Sequence, residues 1–401
     1  MESRVRGQLD FVSLKKKLSI KVTEGNLSNL RELAGRMKTI SRNMFKRKYG
    51  NLLGLLKVEV QVAALTALAQ YYDPPLRCLT FQDFQLVPTV EEFEHILGLS
   101  MKGKVPYRYS DQHISTVTLA GILKVHPAEL EGFGETFMDV LALTFYGAML
   151  FPNMENIVDH TAINVFVAYK NHLESPVNVV LADMYGSLNL FHEFKKKKML
   201  CCLPVLYVWF ISRINKGISN AEGPVEEVLL NKPEIKGAKD WAQFFASLNG
   251  GKIRWCLPWQ SRSRIISCGN FPNVPFIGTR SCINYNPVLA QRQYGYPIRG
   301  TPSPGALQPI WTHYEEGFSL DLIRQIKCAW EEVMRVEEDP RSWIIKDKMS
   351  YSRWIMERVK VIKLPFKSDF SPSEQPQPAE SEEVTILKGE IKISKGSNKN
   401  I

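Results

Sequence analysis

The sequence lacks the short motifs that mark the commonest enzyme classes. It has no G-x-x-x-x-G-K-[ST] loop, which counts against a P-loop nucleotidase, and Gly132-Phe133-Gly134 lacks the third glycine of a dinucleotide loop. No serine stands in G-x-S-x-G, and no Asp-Thr-Gly or Asp-Ser-Gly indicates a retroviral-type aspartic protease. These absences remove the easily recognised enzymes and leave open an enzyme of an unrecognised kind.

Metal-binding and disulfide patterns are also missing. The chain has 7 cysteines, an odd number, with no C-x-x-C pair, which indicates reduced thiols in an intracellular protein. His192-Glu193 has no second histidine to complete a zinc-binding helix, and the adjacent Cys201 and Cys202 of an apolar helix point to different faces. Neither a metal nor a cofactor is therefore expected.

No apolar run is long enough to suggest a membrane span. The runs at 136–151 and 199–211 fall short of the roughly 20 residues that a bilayer requires, and they contain Asp139 and Pro204. Both are interpreted as buried core helices. The N-terminus is polar and basic, unlike a signal peptide.

Positive charge is concentrated at the start of the chain. Residues 1–50 hold 13 Lys or Arg and 4 Asp or Glu, a net +9 of the total +10. A helix is expected from Asn26 or Ser28, with an apolar stripe at three- and four-residue steps. This stripe comprises Leu30, Leu33, Met37, Ile40 and Met44. The other face carries Arg31, Arg36, Lys38, Arg42 and Lys46 and leads into Arg47 and Lys48.

Two interpretations of this basic face remain open. Its lysines and arginines would suit contact with nucleic acid or another anionic partner, or a nuclear-import signal. They would equally suit a solvated helix face whose apolar stripe docks on the body. The two are compatible, and a nuclear location is favoured over a cytoplasmic one.

The clearest local pattern lies at 76–99, where an extended segment leads into a short helix. Pro88 ends the extended part, Thr89 is a good N-cap, and Glu92 completes a capping box. Glu91 and Glu92 also lie in the first turn, where the helix dipole favours negative charge, and Gly98 ends the helix. These features are structural, and none is catalytic.

The remaining pattern predicts a mainly α protein with a small irregular, β-containing segment around 252–285. Helices are expected at about 55–72, 118–125, 135–151, 155–173, 177–193, 199–214, 238–248, 286–295, 319–336 and 347–363. Residues 215–237 are interpreted as a loop, and Lys252–Leu257 alternates like a strand. The predicted units are a basic arm and helix at 1–49, a helical domain at 50–299, a linker at 300–309, a helical pair packing on the domain at 310–366 and a disordered tail at 367–401.

The chain resembles a known family along most of its length. Thr-Phe at 80–81, Pro-Thr-Val-Glu-Glu-Phe at 88–93 and Leu-Gly-Leu at 97–99 resemble the signature of the plant mobile domain. They are more similar to a family of uncharacterised plant proteins related to it and found in retroelement-derived genes. Further matching stretches are 58–71, 137–143, 201–209, 253–255, 269–275, 278–280, 283–287 and 292–297.

The resemblance implies a mostly helical, plant-restricted, retroelement-associated protein, and related plant mobile domain proteins are implicated in nuclear silencing and genome maintenance. Some relatives carry an aminotransferase-like label, but no residue constellation here indicates a cofactor lysine. The leading hypothesis is a non-enzymatic binding or scaffold protein that contacts nucleic acid or protein, with the seven basic residues Arg31, Arg36, Lys38, Arg42, Lys46, Arg47 and Lys48 as the nucleic-acid contacts. The alternative is an unrecognised enzyme with a pocket in 255–296, lined by Arg262, Arg264, Arg280 or His313.

Overall fold

The computed structural model describes residues 14–22, 26–102, 104–110, 113–124, 134–153, 158–193, 198–215, 217, 221–261, 263–296, 298, 300–313, 319–337 and 350–366. The fold is mainly α, with small sheets, as the sequence predicts. The predicted tail at 367–401 and Arg262 lie outside the described residues.

The α-helices occur along the whole described chain. They are α1 (Ser28–Arg36), α2 (Thr39–Tyr49), α3 (Leu52–Leu55), α4 (Val62–Ala69), α5 (Val90–Leu97), α6 (Thr116–Leu123), α7 (Glu135–Phe145), α8 (His160–His172), α9 (Val177–Glu193), α10 (Leu203–Ile214), α11 (Pro224–Leu230), α12 (Gly237–Ala246), α13 (Leu320–Ala329) and α14 (Tyr351–Ile362). A π-helical turn, Tyr146–Leu150, extends α7, and a 3-10 helix occupies Pro287–Tyr294.

The strands are short and form small sheets. They are β1 (Tyr72–Asp73), β2 (Cys78–Thr80), β3 (Gln85–Leu86), β4 (Val105–Pro106), β5 (Glu174–Ser175), β6 (Arg264–Cys268), β7 (Val274–Ile277), β8 (Ser281–Tyr285), β9 (Trp311–His313) and β10 (Val333–Val336). Strands β1-β2-β3 and β7-β8-β9 form antiparallel sheets, β6 pairs antiparallel with β10, and β4 pairs parallel with β5.

Helix α9 lies at the centre of the core. It is buried along nearly its whole length and contacts α5 and strands β7 and β8. Its Tyr185 hydroxyl donates to the Pro88 carbonyl at 2.6 Å and so holds the entry to α5. The helix predicted at 177–193 is confirmed with the same bounds. Apolar side chains occur on all of its faces, and a helix of this kind has to be buried in the core.

Helix α5 has the predicted caps. The Thr89 side chain accepts a hydrogen bond from the Glu92 amide, and the Glu92 carboxylate accepts from the Thr89 amide at 3.0 Å. Gly98 ends the helix in the left-handed conformation, with φ at 65°. The capping prediction is confirmed because these contacts are made within one turn and depend little on the rest of the fold.

The single helix predicted from residue 26 or 28 is wrong. Met37 and Lys38 are extended, with ψ of 133° and 157°, and separate α1 from α2. Arg42 stabilises this break: its Nε donates to the Met37 carbonyl and its Nη2 to the Ala34 and Gly35 carbonyls, each at 2.9 Å. Carbonyls in the last turn of a helix lack their usual partners, and a side chain from the next helix bonds these three, although the Ala34 carbonyl also accepts from the Met37 amide at 3.4 Å.

Other boundaries also differ from the sequence pattern. The helix predicted at 55–72 is shorter than expected: it corresponds to α4, and α3 ends at Leu55. Helix α11 lies inside the loop predicted at 215–237. Helix α11 begins with Pro224 at its first position after Gly223, a favourable start that the polar composition concealed.

Two predictions near the C-terminal half are corrected. Residues 252–257 form no strand; the strands of the predicted β-containing segment are β6, β7 and β8. The helix predicted at 319–336 ends at Ala329, because Val333–Val336 pairs with β6 across the sheet. Long-range pairing of this kind overrides a local helical pattern.

The N-terminal residues 14–22, here called the strap, cross the body and join distant segments. The Lys15 amide donates to the Leu364 carbonyl at 2.9 Å, and the Leu18 amide donates to Gln70 Oε1 at 2.9 Å. The Met199 amide donates to the Lys21 carbonyl at 3.0 Å. Ile20 and Val22 are buried, so both ends of the described chain are fixed to the same body.

Candidate nucleic-acid interface

Helices α1, α2 and α3 form a strongly basic unit. Between residues 28 and 57 the sequence holds eight Lys or Arg and one acidic residue, Glu32, which gives a net +7. The apolar residues Leu30, Met37, Phe45 and Tyr49 dock the unit on the core. The basic side chains therefore lie on an anchored helical surface.

Five of the seven predicted contact residues are exposed: Arg31, Arg36, Lys38, Lys46 and Arg47. Arg36 pairs with Glu32 within α1, and both side chains are exposed. Lys38 and Arg47 are exposed at the start and end of α2. Lys46 lies 3.6 Å from Glu222, with 60% of its side chain exposed, a pair that solvent weakens.

Arg42 and Lys48 are engaged in the fold itself. Arg42 caps α1, as described above. The Lys48 ammonium donates to Glu135 at 2.8 Å and to Asp139 at 2.7 Å, and Asp139 also accepts from Lys170 and Tyr49. These two cations are therefore less available to a partner than their sequence neighbours.

The cluster around Asp139 is electrostatically favourable although it is buried. Burial would raise the pKa of Asp139, but hydrogen bonds from Lys170, Lys48 and Tyr49 hold that pKa below its ordinary value of 3.8. Hydrogen bonds from Lys48 likewise raise the pKa of this lysine against the effect of its partial burial. The cluster fixes α2 to α7 and α8.

Arg31 lies at the edge of a groove bordered by α1, α2, α3 and α11. Its volume is about 740 Å³. Arg31 Nε donates to the Leu56 carbonyl at 3.1 Å, which holds this side chain at the groove edge. The basic lining is Arg31, Arg42, Lys46 and Lys57; the apolar lining includes Leu53, Leu56, Val60, Val225 and Leu229; and the acidic lining is Glu59, Glu222 and Glu226.

The predicted apolar stripe is only partly buried. Leu30 and Met37 are in the core, whereas Ile40 is 75% exposed and Met44 is 45% exposed. Leu33 is also exposed. The break at 37–38 rotates α2 relative to α1, so residues that one continuous helix would place on one face point in different directions.

The residues of the alternative pocket lie in different surroundings. Arg264, on β6, is buried, and its guanidinium packs 4.3 Å from the Tyr296 ring centroid and 5.3 Å from that of Tyr294. No described residue accepts a hydrogen bond from its terminal nitrogens. His313 is buried on β9, where it faces Ser281 of β8.

Arg280 lines a small cavity. That cavity has a volume of about 200 Å³ and is bordered also by Asp159, Thr161 and Leu200. The Arg280 guanidinium donates to the Leu200 carbonyl and lies 3.7 Å from buried Asp183. Arg264 and His313 line neither this cavity nor the groove beside α1.

A buried polar network at the start of α5 was not expected from the sequence. Glu92 and Arg213 form an ion pair in which both side chains are fully buried. Glu92 also accepts from Trp209 Nε1 at 3.0 Å and from Gln293 Nε2 at 3.1 Å. Arg213 donates further to the Arg254 carbonyl at 3.0 Å.

The adjacent Glu91 is buried as well. Its carboxylate accepts from the Ile265 amide at 2.6 Å and from the Tyr294 hydroxyl at 2.9 Å, and burial raises its pKa. Glu91 and Glu92 thus join α5 to α10, β6 and the 3-10 helix, in addition to their favourable interaction with the helix dipole. The sequence held one sign of this network: Arg213 lies near the end of the apolar helix α10, and a charged side chain that is buried needs a buried partner.

The chain's thiols and acidic groups form no metal-binding cluster within the described residues. None of the seven cysteines, all of which are described, forms a disulfide, and only Cys256 and Cys328 are exposed. Among the described helices none has both the length and the apolar character for crossing a bilayer.

Comparison with known proteins identifies a family. A family model described as a domain of unknown function (DUF7745) matches residues 30–135 and 133–360. No curated protein and no solved structure matches the chain.

Proposed function

We propose that this chain, which belongs to the DUF7745 family, is a non-enzymatic binding or scaffold protein that contacts the phosphate backbone of nucleic acid through α1 and α2. The observation that carries the proposal is the anchored surface of net +7 between residues 28 and 57. Lysine and arginine side chains that neutralise phosphates release condensed counterions, and this release drives binding without sequence preference.

Side-chain exposure guides our choice of contact residues. Arg36 on α1, Lys38 at the break, and Lys46 and Arg47 on α2 have exposed side chains and are the contacts we propose. Arg31 lies at the groove edge beside them. Arg42 and Lys48 act by positioning, because one holds the break between the helices and the other ties α2 to Asp139.

The origin and location of the protein are part of the same proposal. The stretches that resemble the plant mobile domain and its retroelement-associated relatives support a retroelement-derived plant protein. The basic run Lys46-Arg47-Lys48 supports a nuclear location.

The alternative, an enzyme with a pocket in 255–296, has less support. Its residues would have to meet at one cavity for their charges to act on one substrate. Arg264 and His313 are instead buried in separate packing, and Arg280 is engaged by Leu200 and Asp183.

A salt titration of duplex DNA binding tests the proposal. Substitution of Lys38, Lys46 and Arg47 by alanine removes three exposed cations without touching the fold contacts of Arg42 and Lys48. If each residue contacts one phosphate, the slope of log K against log salt falls in magnitude by about 2.7, since each contact contributes roughly 0.9. Fluorescence anisotropy at several salt concentrations measures this slope.

A matched variant controls for overall charge. Lys236, Lys239 and Lys360 are exposed near α12 or on α14, away from the groove lining. Their replacement by alanine removes the same charge and should leave the slope unchanged. Equal effects of the two triple variants, or no binding of DNA by the parent protein, would refute the proposed interface.

A further inference from the structure

The groove beside α1 combines an apolar floor with a basic edge. Leu56 and Val225 are buried at its base, and Leu53 and Val60 are half-buried. Such a lining suits a segment with apolar and acidic side chains side by side. A bare phosphate backbone would leave the apolar part uncovered.

The charges of the groove are unequally engaged. Glu59 lies 3.0 Å from Lys232, Glu222 pairs with Lys46, and the Glu226 carboxylate accepts from the Glu222 amide at 2.6 Å. Lys57 is exposed and forms no ion pair with any described residue. Lys57 therefore attracts an anion to the groove, whereas the three carboxylates of the lining already have partners.

The chain contains a segment of matching chemistry. Residues 380–387 read Glu-Ser-Glu-Glu-Val-Thr-Ile-Leu, which places three carboxylates directly before three apolar side chains. The apolar residues at 384–387 have no place in the proposed nucleic-acid contact. Their alternation with Thr385 is typical of an extended segment that needs a partner.

The described chain ends near enough for this segment to reach the groove. The Phe366 ring packs 5.9 Å from the ring of Tyr71, which lies just after α4, whereas Val60 of the groove lies just before α4. The eight residues of α4 span about 12 Å at 1.5 Å per residue. The intervening residues 367–379 can span up to about 45 Å when extended, so the distance is no obstacle.

We propose that residues 380–387 dock in the groove between α1–α3 and α11. Val384 and Ile386, which share one face of an extended segment, cover the apolar floor, and the carboxylates at 380–383 face Lys57, Lys46 and Arg31. Attachment to the same chain makes this contact intramolecular, so that weak individual interactions suffice. The consequence that the segment competes with DNA for Lys46 rests on the proposed function; the docking itself does not.

Photo-crosslinking in the full-length chain tests the docking. A benzoylphenylalanine at position 386, in place of Ile386, should form adducts with peptides from 28–60 or 221–231, identified by mass spectrometry at low protein concentration. Lys57→Glu should reduce these adducts severalfold, whereas Lys239→Glu, an exposed lysine on α12, should not. Adducts elsewhere, adducts mainly between two chains, or equal yields from both variants would overturn the docking.

DNA affinity tests the competition separately. Replacement of Glu380, Glu382 and Glu383 by glutamine should tighten duplex binding roughly threefold or more, which corresponds to a groove occupied in about two thirds of molecules. The control replaces exposed Glu234, Glu331 and Glu357 by glutamine and changes net charge equally. Equal tightening in both variants would overturn the competition. If the parent protein binds no DNA, the proposed function fails, and the crosslinks alone decide the docking.

Discussion

The ion pair between Glu92 and Arg213 offers the sharpest test of how the fold is held together. Glu92→Gln keeps the shape of the side chain but removes its charge, which leaves the Arg213 guanidinium without a counter-charge where neither side chain is exposed to solvent. Breaking a buried pair by removing one partner costs about 3–5 kcal/mol. Typical domains unfold at about 5–15 kcal/mol, so the loss should be a large part of the total.

Loss of hydrogen bonds around Glu92 should also destabilise the Glu92→Gln variant. Trp209 Nε1 and Gln293 Nε2 donate to Glu92 and have to donate to an amide oxygen in the variant. A glutamine presents one acceptor oxygen in place of two, so at least one of the donors around Glu92 is left without a partner. An unmade buried hydrogen bond costs about 1–3 kcal/mol and is already part of the figure above.

Urea unfolding followed by tryptophan fluorescence measures the change, with Trp209 in contact with the altered group. Glu357→Gln is the matched control, because Glu357 and Lys360 form an exposed pair whose loss should cost under about 1 kcal/mol. Arg213→Met combined with Glu92→Gln should be less destabilising than the sum of the two single changes, because it leaves no buried charge. A loss below about 1 kcal/mol for Glu92→Gln alone would refute the argument.

Two further changes test the contacts of the basic helices. Gly50 has φ at 67°, and a Cβ there would overlap the Leu97 carbonyl oxygen, so Gly50→Ala should lower the free energy of unfolding by more than about 1 kcal/mol. Gly35 lies on α1 with open space around it, so Gly35→Ala should stabilise the protein by up to about 1 kcal/mol. Similar shifts of both variants in thermal unfolding would contradict this explanation. Asp139→Asn should destabilise by about 1–3 kcal/mol at neutral pH. Because hydrogen bonds hold the pKa of Asp139 below 3.8 in the folded protein, its stabilisation is present above about pH 4 and is lost as pH falls through the folded pKa. The gap between parent and variant in urea unfolding should therefore narrow only below about pH 4, and a gap that narrows at neutral pH would contradict the assignment.

The sequence was most informative where structure depends on neighbouring residues. The capping box of Thr89 and Glu92 and the limits of α9 follow from contacts within a turn or from continuous apolar character, and both agree with the structure. The break at Met37 could not be predicted, since it depends on Arg42 reaching back to carbonyls of the preceding helix. The end of α13 depends on β6, more than sixty residues earlier in the chain.

The positive charge of the candidate interface could be predicted from the sequence, but which of its basic residues are exposed could be predicted only in part. Counting lysines and arginines located the basic region, but the pattern cannot distinguish Lys48, which holds Asp139, from Arg47, which is exposed. The groove joins residues near 31–60 with residues near 222–229, and the second group lay in a segment interpreted as loop. The role of Glu91 and Glu92 depends on partners at 209–294 and has no local pattern.

The strap has a consequence for the order in which the chain can fold. Its hydrogen bond between Lys15 and Leu364 joins positions 349 residues apart, since 364 minus 15 is 349, and Met199 holds its other end. During synthesis Met199 emerges long after the strap, and Leu364 emerges later still. The strap is therefore the last part of the N-terminal region to settle, after the helices that follow it. Contacts that close so large a loop come late in folding, because their entropic cost is met only when the rest of the body is in place.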